Sequence, residues 1–244
     1  MKKVKLGFKE IEESKKPDQI NSIFSSVSQK YDIMNDIMSF GLHRLWKKQF
    51  VRLCNIEKQN TVLDVACGTG DITLELLNRK SDLRVSCLDA NSDMIQICKS
   101  RLVDKGYINN NYIVSGIEDF ESEENFYDLI TLAFGFRNFT DCSKALSKIF
   151  QLLRPGGSFL IMDFKKPSNN LYSNLFKFYT LQIIPKIGNL VADDSNSYKY
   201  LAESIQTYYT PDEVTSMFKS AGFVNVRLIH LPEDVVTIHI GYKA

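Results

Sequence analysis

Residues 62–71 read Val62-Leu63-Asp64-Val65-Ala66-Cys67-Gly68-Thr69-Gly70-Asp71. The run passes from an apolar stretch into a loop of small residues and then into a segment with a helical pattern. In an open α/β sheet, ligands bind at the carboxyl ends of the strands, which is where such a loop lies. Gly68 and Gly70 carry no side chain that would hold a ligand away from the backbone. The run therefore predicts the strand, ligand loop and helix of an α/β fold.

The loop departs from the pattern that binds dinucleotides, which is Gly-x-Gly-x-x-Gly. Thr73 stands where the third glycine would be. Asp71, beside the predicted helix N-terminus, would also repel a pyrophosphate. These features favour a ligand that resembles a nucleoside but carries no phosphates, and S-adenosylmethionine is such a ligand.

Asp89 supports the same ligand. It ends the next predicted strand, 19 residues after Gly70, where a carboxylate can accept hydrogen bonds from both hydroxyls of a ribose. The alternative is a surface aspartate that caps the following helix, for which Ser92 is the predicted N-cap.

Strand and helix patterns alternate along the rest of the chain. Such alternation implies right-handed crossovers and a parallel, doubly wound sheet. Near the C-terminus, two β-rich runs are close enough for a hairpin, so we expect one of them to join the sheet antiparallel. The predicted strands are 61–66, 83–89, 111–115, 127–134, 158–164, 223–231 and 235–242, and the main helices are 71–78, 92–105, 141–153 and 211–221.

We therefore expect a Rossmann-like, doubly wound, seven-stranded α/β sheet that is mostly parallel, with an antiparallel strand at the C-terminal end. The chain is interpreted as one domain of 244 residues in four parts. They are a polar, mobile lead-in (1–20) with N-terminal helices up to residue 56, a cofactor-binding core (57–164), a helical substrate cap (165–210), and a C-terminal helix with a strand pair (211–244).

Composition excludes several classes of protein. The net charge of +1 gives no general attraction for nucleic acid. The five cysteines form no C-x-x-C pair, which favours reduced, buried thiols and no metal site. No apolar run approaches the length of about 20 residues that spans a bilayer, and the first residues do not resemble a signal peptide. We expect a cytoplasmic enzyme.

Three further stretches resemble the ubiquinone/menaquinone biosynthesis C-methyltransferases, a narrow family among the class I methyltransferases. They are Lys30-Tyr31-Asp32-Ile33-Met34-Asn35-Asp36 with Met38-Ser39-Phe40-Gly41-Leu42-His43-Arg44-Leu45-Trp46-Lys47, then Phe134-Gly135-Phe136-Arg137-Asn138, and Ser197-Tyr198-Lys199-Tyr200-Leu201-Ala202-Glu203-Ser204-Ile205. The similarity covers nearly the whole chain, and none of the three belongs to methyltransferases in general.

The resemblance implies S-adenosylmethionine as the cofactor and a ring carbon of a prenylated quinol as the acceptor. The quinol is a 2-methoxy-6-polyprenyl-1,4-benzoquinol, demethylmenaquinol, or both. Cys67 stands where the family usually has glycine, and Gly116-Ile117 replaces the more usual Asn-Ala. The resemblance and the glycine loop together predict these cofactor-binding residues: Asp64, Gly68, Thr69, Gly70, Asp89, Gly116, Ile117 and Ala133.

Methylation of a ring carbon needs an ionised hydroxyl on the ring, and a phenol titrates near ~10. Arg137 and Asp163 are the predicted catalytic residues. Arg137 cannot act as a base, but it can stabilise a phenolate or hold a water, unless it only pairs with Asp141 or a helix end. Asp163 can accept a proton or anchor a hydroxyl, unless it caps a helix.

For His43, capping or core packing is favoured over base catalysis. Tyr31 is interpreted as a cover over the cofactor or a core aromatic.

Residues 171–190 are rich in aromatic and apolar side chains. They suit a cap that shelters a prenyl tail or contacts the inner face of the membrane, although plain helix-on-sheet packing gives the same pattern. A homodimer or a quinone-synthesis complex is left open. The alternatives to a quinol methyltransferase are a small-molecule or sterol-type methyltransferase, a cofactor-binding scaffold without catalysis, and a nucleic-acid methyltransferase, which the balanced charge disfavours.

Overall fold

The computed structural model describes residues 2–167, 176–192, 194–232 and 234–244. Nine strands are described in these ranges. Two form a hairpin and seven form one sheet in the order β5-β4-β3-β6-β7-β9-β8. The strands are β1 (Lys3–Leu6), β2 (Lys9–Glu12), β3 (Thr61–Val65), β4 (Arg84–Asp89), β5 (Asn111–Val114), β6 (Tyr127–Ala133), β7 (Leu153–Phe164), β8 (Val224–His230) and β9 (Val236–Tyr242).

The large sheet has the predicted architecture. Neighbouring strands from β5 to β7 pair parallel, and β9 pairs antiparallel with both β7 and β8. The antiparallel strand is thus the last in the chain, and it lies inside the sheet rather than at its edge. The order of strands reverses between β3 and β6, which is where ligands bind in doubly wound sheets.

Apolar clusters cover both faces of the sheet. Val62 and Leu129 belong to one cluster, and Leu63 and Ile130 belong to the other, because successive residues of a strand point to opposite faces. The helices that supply the covering layers are α4 (Asp71–Arg79), α5 (Ser92–Asp104), α6 (Cys142–Leu152) and, after the cap segments below, α9 (Pro211–Ser220).

A third layer of short helices stands over the carboxyl ends of the strands. A small apolar cluster that includes Met34, Ile184 and Tyr198 joins the N-terminal helices to the cap segment. The helices of this layer are α1 (Lys16–Val27), α2 (Tyr31–Ser39), α7 (Ile184–Ala192) and α8 (Ser195–Thr207), with a π-helical turn at Tyr179–Ile183. The remaining helix, α3 (Leu42–Leu53), packs beside α4 and contributes Trp46, Phe50 and Val51 to the apolar cluster on one face of the sheet.

The segment expected to be a polar, mobile lead-in contains two strands that the sequence analysis did not predict. β1 and β2 pair antiparallel around the turn Gly7-Phe8, in which Gly7 has φ +61°. Glu203 Oε2, on α8, accepts a hydrogen bond from the Phe8 N–H at 3.1 Å. The segment is therefore ordered by contact with a part of the chain almost 200 residues away, which local sequence patterns cannot show.

Two local predictions also need correction. The N-cap of α5 is Asn91, not Ser92, because the Asn91 side chain accepts the hydrogen bond from the Met94 N–H at 2.9 Å. The strand β7 begins at Leu153, directly after α6, so residues 154–157 lie within it and do not form a separate turn.

Of the predicted cap, residues 168–175 lie outside the described residues, whereas 176–192 are helical. In the ranges given above, no helix is long and apolar enough to cross a membrane.

Candidate active site

A cavity of about 520 Å³ lies at the carboxyl ends of β3, β4, β5 and β6, where the order of strands reverses. Its floor is formed by the loop after β3 and by Asp89 and Ala133 at the ends of β4 and β6. One side is closed by residues of α1, including Asn21 and Phe24. We call this space the donor cavity.

The loop after β3 is fixed to Asp89 by hydrogen bonds. The Gly68 N–H donates to Asp89 Oδ2 at 2.9 Å, and the Asn91 N–H donates to Asp89 Oδ1 at 2.9 Å. Burial raises the pKa of Asp89, and these two hydrogen bonds oppose the rise. Each carboxylate oxygen has a second lone pair, so Asp89 keeps the capacity to accept hydroxyl groups.

Five of the eight predicted cofactor residues line the donor cavity. They lie on four different segments, which the parallel sheet brings to one edge. These residues are Gly68, Asp89, Gly116, Ile117 and Ala133.

The other three, Asp64, Thr69 and Gly70, do not line the cavity. Asp64 is buried in β3 and accepts hydrogen bonds from the hydroxyls of Thr73 and Thr131 at 2.7 and 2.8 Å. Burial raises its pKa to about 7. Asp64, Thr69 and Gly70 instead help to hold the loop in place through contacts with other parts of the chain.

The Thr69 hydroxyl donates to Asp32 Oδ1 at 2.9 Å and so joins the loop to α2. Gly70 has φ +84°, and a Cβ there would lie 2.6 Å from the sulfur of Cys98. Its lack of a side chain thus allows α5 to pack against the loop, rather than a ligand to approach.

The electrostatic argument from Asp71 was also incomplete. Asp71 forms ion pairs with Lys47 and, at 2.6 Å, with Arg101. Burial raises the pKa of Asp71, but the two cations outweigh burial and the pKa is lowered. Its charge is therefore compensated, and it repels a phosphate less than an isolated aspartate would.

The charge of the donor cavity independently favours a ligand without phosphates. Among the described residues that line it, five are acidic (Glu13, Asp89, Glu118, Asp119 and Asp141) and one, Lys144, is basic. Such a lining disfavours a pyrophosphate and favours a ligand with positive charge. A Cβ at Gly68 would meet no atom within 4 Å, so the loop presents open space to a ligand. An adenosyl sulfonium fits these residues.

A second, smaller cavity of about 110 Å³ adjoins the first. Phe24, Tyr31 and Phe134 line both cavities. Tyr31 therefore borders the acceptor cavity as well as the donor cavity. The lining of the second is mainly apolar and aromatic, and it includes Met34, Met38, Trp46, Phe164, Phe176, Tyr179, Ile184 and Leu201. We call it the acceptor cavity.

The two predicted catalytic residues form a buried ion pair with each other. Arg137 Nη1 donates to Asp163 Oδ1 at 2.8 Å and to the carbonyl oxygen of Phe134, and the two side chains are 6% and 2% exposed. Burial opposes the charge of Arg137, but Asp163 outweighs it and raises the pKa of the guanidinium. Arg137 therefore pairs with neither Asp141 nor a helix end.

Only one member of this pair reaches a cavity. Arg137 lines the acceptor cavity, and its Nε has no hydrogen-bond partner in the part of the chain that the structure describes. Asp163 lines neither cavity, and its oxygens accept from Arg137 and from the Phe164 N–H at 2.8 Å. Burial raises the pKa of Asp163, which Arg137 opposes. This geometry makes Asp163 the holder of Arg137 and does not place it to accept a proton from a ligand.

His43 is a residue of the acceptor cavity that the sequence analysis assigned to capping or packing. The N-cap residue of α3 is Gly41, and the backbone N–H of His43 in the first turn donates to the Ser39 hydroxyl at 3.2 Å. The ring is buried as expected, yet no described residue makes a hydrogen bond to its Nδ1. His230 and His239 are bonded to Asp234 and to the Pro211 carbonyl, outside both cavities.

Three cysteines lie together behind the loop. Their sulfurs, on Cys67, Cys87 and Cys98, are within 4.8 Å of one another, and all three side chains are buried. The sequence spacing did not reveal this cluster because its members come from the loop, β4 and α5.

Fold and cavity together define a class I S-adenosylmethionine-dependent methyltransferase. Solved structures share this fold. A possible histamine N-methyltransferase from Thermotoga maritima superposes with a TM-score of 0.66 at 14% identity, over 91% of this chain and 99% of that one. A methyltransferase from Aquifex aeolicus gives a TM-score of 0.60 at 18% identity, over 81% and 89%.

The sequence of residues 10–243 matches the model of the ubiE/COQ5 methyltransferase family. Proteins called ubiquinone/menaquinone biosynthesis C-methyltransferase UbiE are 39% identical in Hydrogenovibrio crunogenus, over 99% of this chain and 96% of that protein, and 39% identical in Rickettsia akari, over the full length of both. The chain belongs to the ubiE/COQ5 methyltransferase family. It is an S-adenosylmethionine-dependent enzyme that methylates carbon.

Proposed function

We propose that this enzyme methylates a ring carbon of a prenylated quinol in ubiquinone or menaquinone biosynthesis. The observation that carries the proposal is the acceptor cavity, which adjoins the donor cavity and combines an apolar, aromatic lining with the buried guanidinium of Arg137. An apolar space suits a prenylated ring, and a fixed cation suits the phenolate that the reaction requires. The names of the relatives point to the same pathway.

S-adenosylmethionine, when bound, supplies an electrophilic methyl group on a sulfonium. In our proposal Asp89 accepts the ribose hydroxyls, Gly68 leaves room for the backbone to contact the ligand, and Gly116, Ile117 and Ala133 form the remaining walls. Asp64, Thr69 and Gly70 act indirectly by holding the loop.

Arg137 stabilises the phenolate of the acceptor in this proposal. Asp163 keeps the guanidinium in place, and the aromatic walls exclude water, which strengthens the attraction between cation and phenolate. Positioning of two reactants in one site can lower the barrier by roughly 7–11 kcal/mol in favourable cases.

The direct experiment supplies the purified enzyme with S-adenosylmethionine and a short-chain prenylated methoxybenzoquinol or naphthoquinol kept reduced. We expect mass spectrometry to find one added methyl group on the quinol ring and no reaction of the oxidised quinone, whose ring carbon is not activated. A strain that lacks the protein should accumulate the corresponding demethylated quinone. Absence of both results would refute the proposal.

The lipid substrate leads us to propose contact with a membrane surface. Ile33 and Ile37 lie four residues apart on α2, Phe40 follows directly after the helix, and all three side chains are exposed, Phe40 by 79%. The Phe40 ring lies 6.0 Å from that of Tyr179, which lines the acceptor cavity. An apolar stripe beside that cavity suits the boundary of a bilayer that holds the substrate.

Co-sedimentation with vesicles of phosphatidylethanolamine and phosphatidylglycerol tests this contact. We expect Phe40→Ser with Ile37→Ser to reduce bound protein several-fold, whereas Val103→Ser, on the exposed face of α5, leaves it unchanged. If the double variant instead dissociates a dimer in sedimentation and leaves vesicle binding intact, the stripe is a subunit interface and membrane contact through it is refuted.

A further inference from the structure

Several polar side chains lie among the apolar residues that line the acceptor cavity. Among the described residues that line it, three carry a buried side-chain atom with no hydrogen-bond partner: Nδ1 of His43, Nε of Arg137 and the hydroxyl of Tyr198. An unpaired buried polar atom is unfavourable, so three such atoms on the walls of one small cavity indicate a ligand with polar groups. His43 differs from the other two because an imidazole can accept a proton at neutral pH.

Asp36 fixes which ring nitrogen of His43 is free. The two are joined at 2.8 Å, between Nε2 and Asp36 Oδ1. Arg44 also donates to both oxygens of Asp36 at 2.6 Å. These bonds from Arg44, followed by that from His43, lower the pKa of Asp36. An ionised carboxylate only accepts hydrogen bonds, so Nε2 carries the proton and Nδ1 keeps its lone pair, on a residue that lines the cavity.

The surroundings keep the imidazole neutral. Burial lowers the pKa of His43 most, Lys47 adds to that effect, and Asp36 and Asp71 oppose it. The other titratable groups that line the cavity are Arg137 and the phenols Tyr31, Tyr179, Tyr198 and Tyr200. Burial raises the pKa of Tyr198 and Tyr200, so these two stay protonated and do not compete with His43 for a proton.

Packing alone does not account for this arrangement. The Ser39 hydroxyl already accepts the His43 N–H at the start of α3, and Arg44 already pairs with both oxygens of Asp36. Neither function needs the His43 ring. An Asp–His pair whose second nitrogen is unpaired, on a residue that lines a cavity, is, however, the arrangement that general bases use, with the carboxylate holding the tautomer.

We propose that His43, oriented by Asp36, is the base that takes the proton from the ring hydroxyl of the acceptor, while Arg137 stabilises the resulting phenolate. This inference rests on the proposed quinol substrate. His43 and Arg137 have different tasks in this proposal. The guanidinium of Arg137 stabilises negative charge but does not accept a proton, so the proton goes to His43.

The balance of the reaction is as follows. The hydroxyl proton passes to His43 Nδ1, and the oxygen electrons make the ring carbon nucleophilic. The new carbon–methyl bond forms as the methyl–sulfur bond breaks, and sulfur keeps that electron pair. The methylated carbon then loses its hydrogen to water as a proton, which restores the aromatic ring as a phenolate. His43 returns its proton to the phenolate oxygen, so one proton is released in total.

His43→Gln tests the proposal because the amide can still donate to Asp36 but cannot act as a base. We expect kcat with the quinol to fall on the order of 10²–10⁴-fold, with little change in KM and in S-adenosylmethionine affinity by calorimetry. The wild-type rate should decline at acid pH as His43 becomes protonated, and the variant should lack this limb. Imidazole should restore part of the rate to His43→Gly. The exposed His230→Gln is the matched control and should behave as wild type.

A second measurement does not depend on turnover. 4-Nitrophenol absorbs differently as phenol and phenolate, so its spectrum reports whether the bound hydroxyl has lost its proton. We expect a phenolate band on wild-type enzyme below the solution pKa of the probe, and loss of that band in His43→Gln but not in His230→Gln.

These measurements separate the two possible failures. If the wild type methylates the quinol, and His43→Gln keeps kcat within about threefold and retains the acid limb and the phenolate band, the base assignment is wrong and the substrate assignment stands. If the wild type does not methylate the quinol, the substrate assignment fails, and the phenolate band, present or absent, decides whether His43 accepts a proton from a bound hydroxyl.

Discussion

Gly68 and Gly70 show how two glycines in one loop serve different neighbours. Both have positive φ, of +55° and +84°. A Cβ at Gly68 would meet no atom within 4 Å, and the residue lines the donor cavity. A Cβ at Gly70 would contact Cys98 Sγ at 2.6 Å. The first glycine therefore provides space for the ligand, and the second allows close packing of α5.

Alanine at each position should separate these roles. We expect Gly70→Ala to lower the free energy of unfolding by more than the ~1–2 kcal/mol that left-handed backbone costs an L-residue, because Cys98 must also move. Gly68→Ala should lose about that strain energy alone, yet weaken S-adenosylmethionine binding at least tenfold in calorimetry. Adding Cys98→Ala should restore part of the stability of Gly70→Ala. No restoration would mean that the sulfur contact is unimportant.

Asp89 allows a similar test of the ribose assignment. Asp89→Ala should weaken S-adenosylmethionine binding by at least tenfold, because it removes the carboxylate at the cavity and the acceptor for the Gly68 N–H. Asp104→Ala, which removes an exposed carboxylate from α5, is the control. Near-wild-type affinity of Asp89→Ala in calorimetry would refute the assignment.

The buried pair Arg137–Asp163 predicts unequal effects of its two members. Asp163→Ala should destabilise the protein by about 3–5 kcal/mol, since an unpaired charge remains buried, and this should appear in urea unfolding. Arg137→Ala should reduce turnover while S-adenosylmethionine affinity is retained. The double variant should be more stable than Asp163→Ala. If Asp163→Ala is as stable as wild type, the pair is not what fixes the guanidinium.

At the scale of elements, predictions succeeded where a segment carries its own pattern. β3 and β6 are apolar on both faces, and the strand–loop–helix at residues 61–79 combines an apolar run with glycines at fixed positions. The hairpin of β1 and β2 has strands of only four residues, and its stability comes from contacts with α8. The one local signal was Gly7, the first residue of a two-residue turn, where a positive φ is typical of hairpins.

The N-terminal helices close the donor cavity, and Lys16 fixes α1 over it. Its Nζ is buried and donates to the Phe139 carbonyl at 2.8 Å. Burial lowers the pKa of this amine. Because residues on both sides of this bond line the cavity, Lys16 couples the closing helix to the loop after β6.

We expect Lys16→Met to increase the dissociation rate of S-adenosylmethionine several-fold and to cost about 1–3 kcal/mol of stability, because the Phe139 carbonyl loses its donor. Stopped-flow fluorescence and thermal unfolding measure the two effects. The neighbouring Lys15→Met removes an exposed lysine and should change neither. Equal dissociation rates in both variants would contradict the closing role of α1.

At the scale of the whole molecule, the sequence predicted the donor cavity better than the acceptor cavity. The donor cavity follows from strand order, because Gly68, Asp89 and Ala133 lie at or next to the carboxyl ends of three predicted strands. The acceptor cavity combines residues 23–47, 134–164 and 176–205, whose proximity depends on how the third layer packs. The free nitrogen of His43 was invisible in the sequence for this reason, since it depends on the absence of a neighbour.

The free energy of unfolding should depend on pH because of Asp64. Its pKa is near 3.8 in the unfolded chain and about 7 in the folded protein, where burial favours the protonated form. Between these values the folded state holds a proton that the unfolded state has lost. Stability from this group is therefore lost as pH rises from about 4 to about 7, with a slope of up to about 1.4 kcal/mol per pH unit, and is constant above that range.

Comparison with Asp64→Asn isolates this effect, because the amide cannot titrate. The wild-type free energy of unfolding minus that of the variant, from urea denaturation at a series of pH values, should decrease across this window and then level off. Asp104→Asn should give a constant difference there, since the carboxylate of Asp104 is exposed. A difference for Asp64→Asn that is flat, or that rises with pH, would show that Asp64 is ionised behind the loop, held by its two threonine hydroxyls.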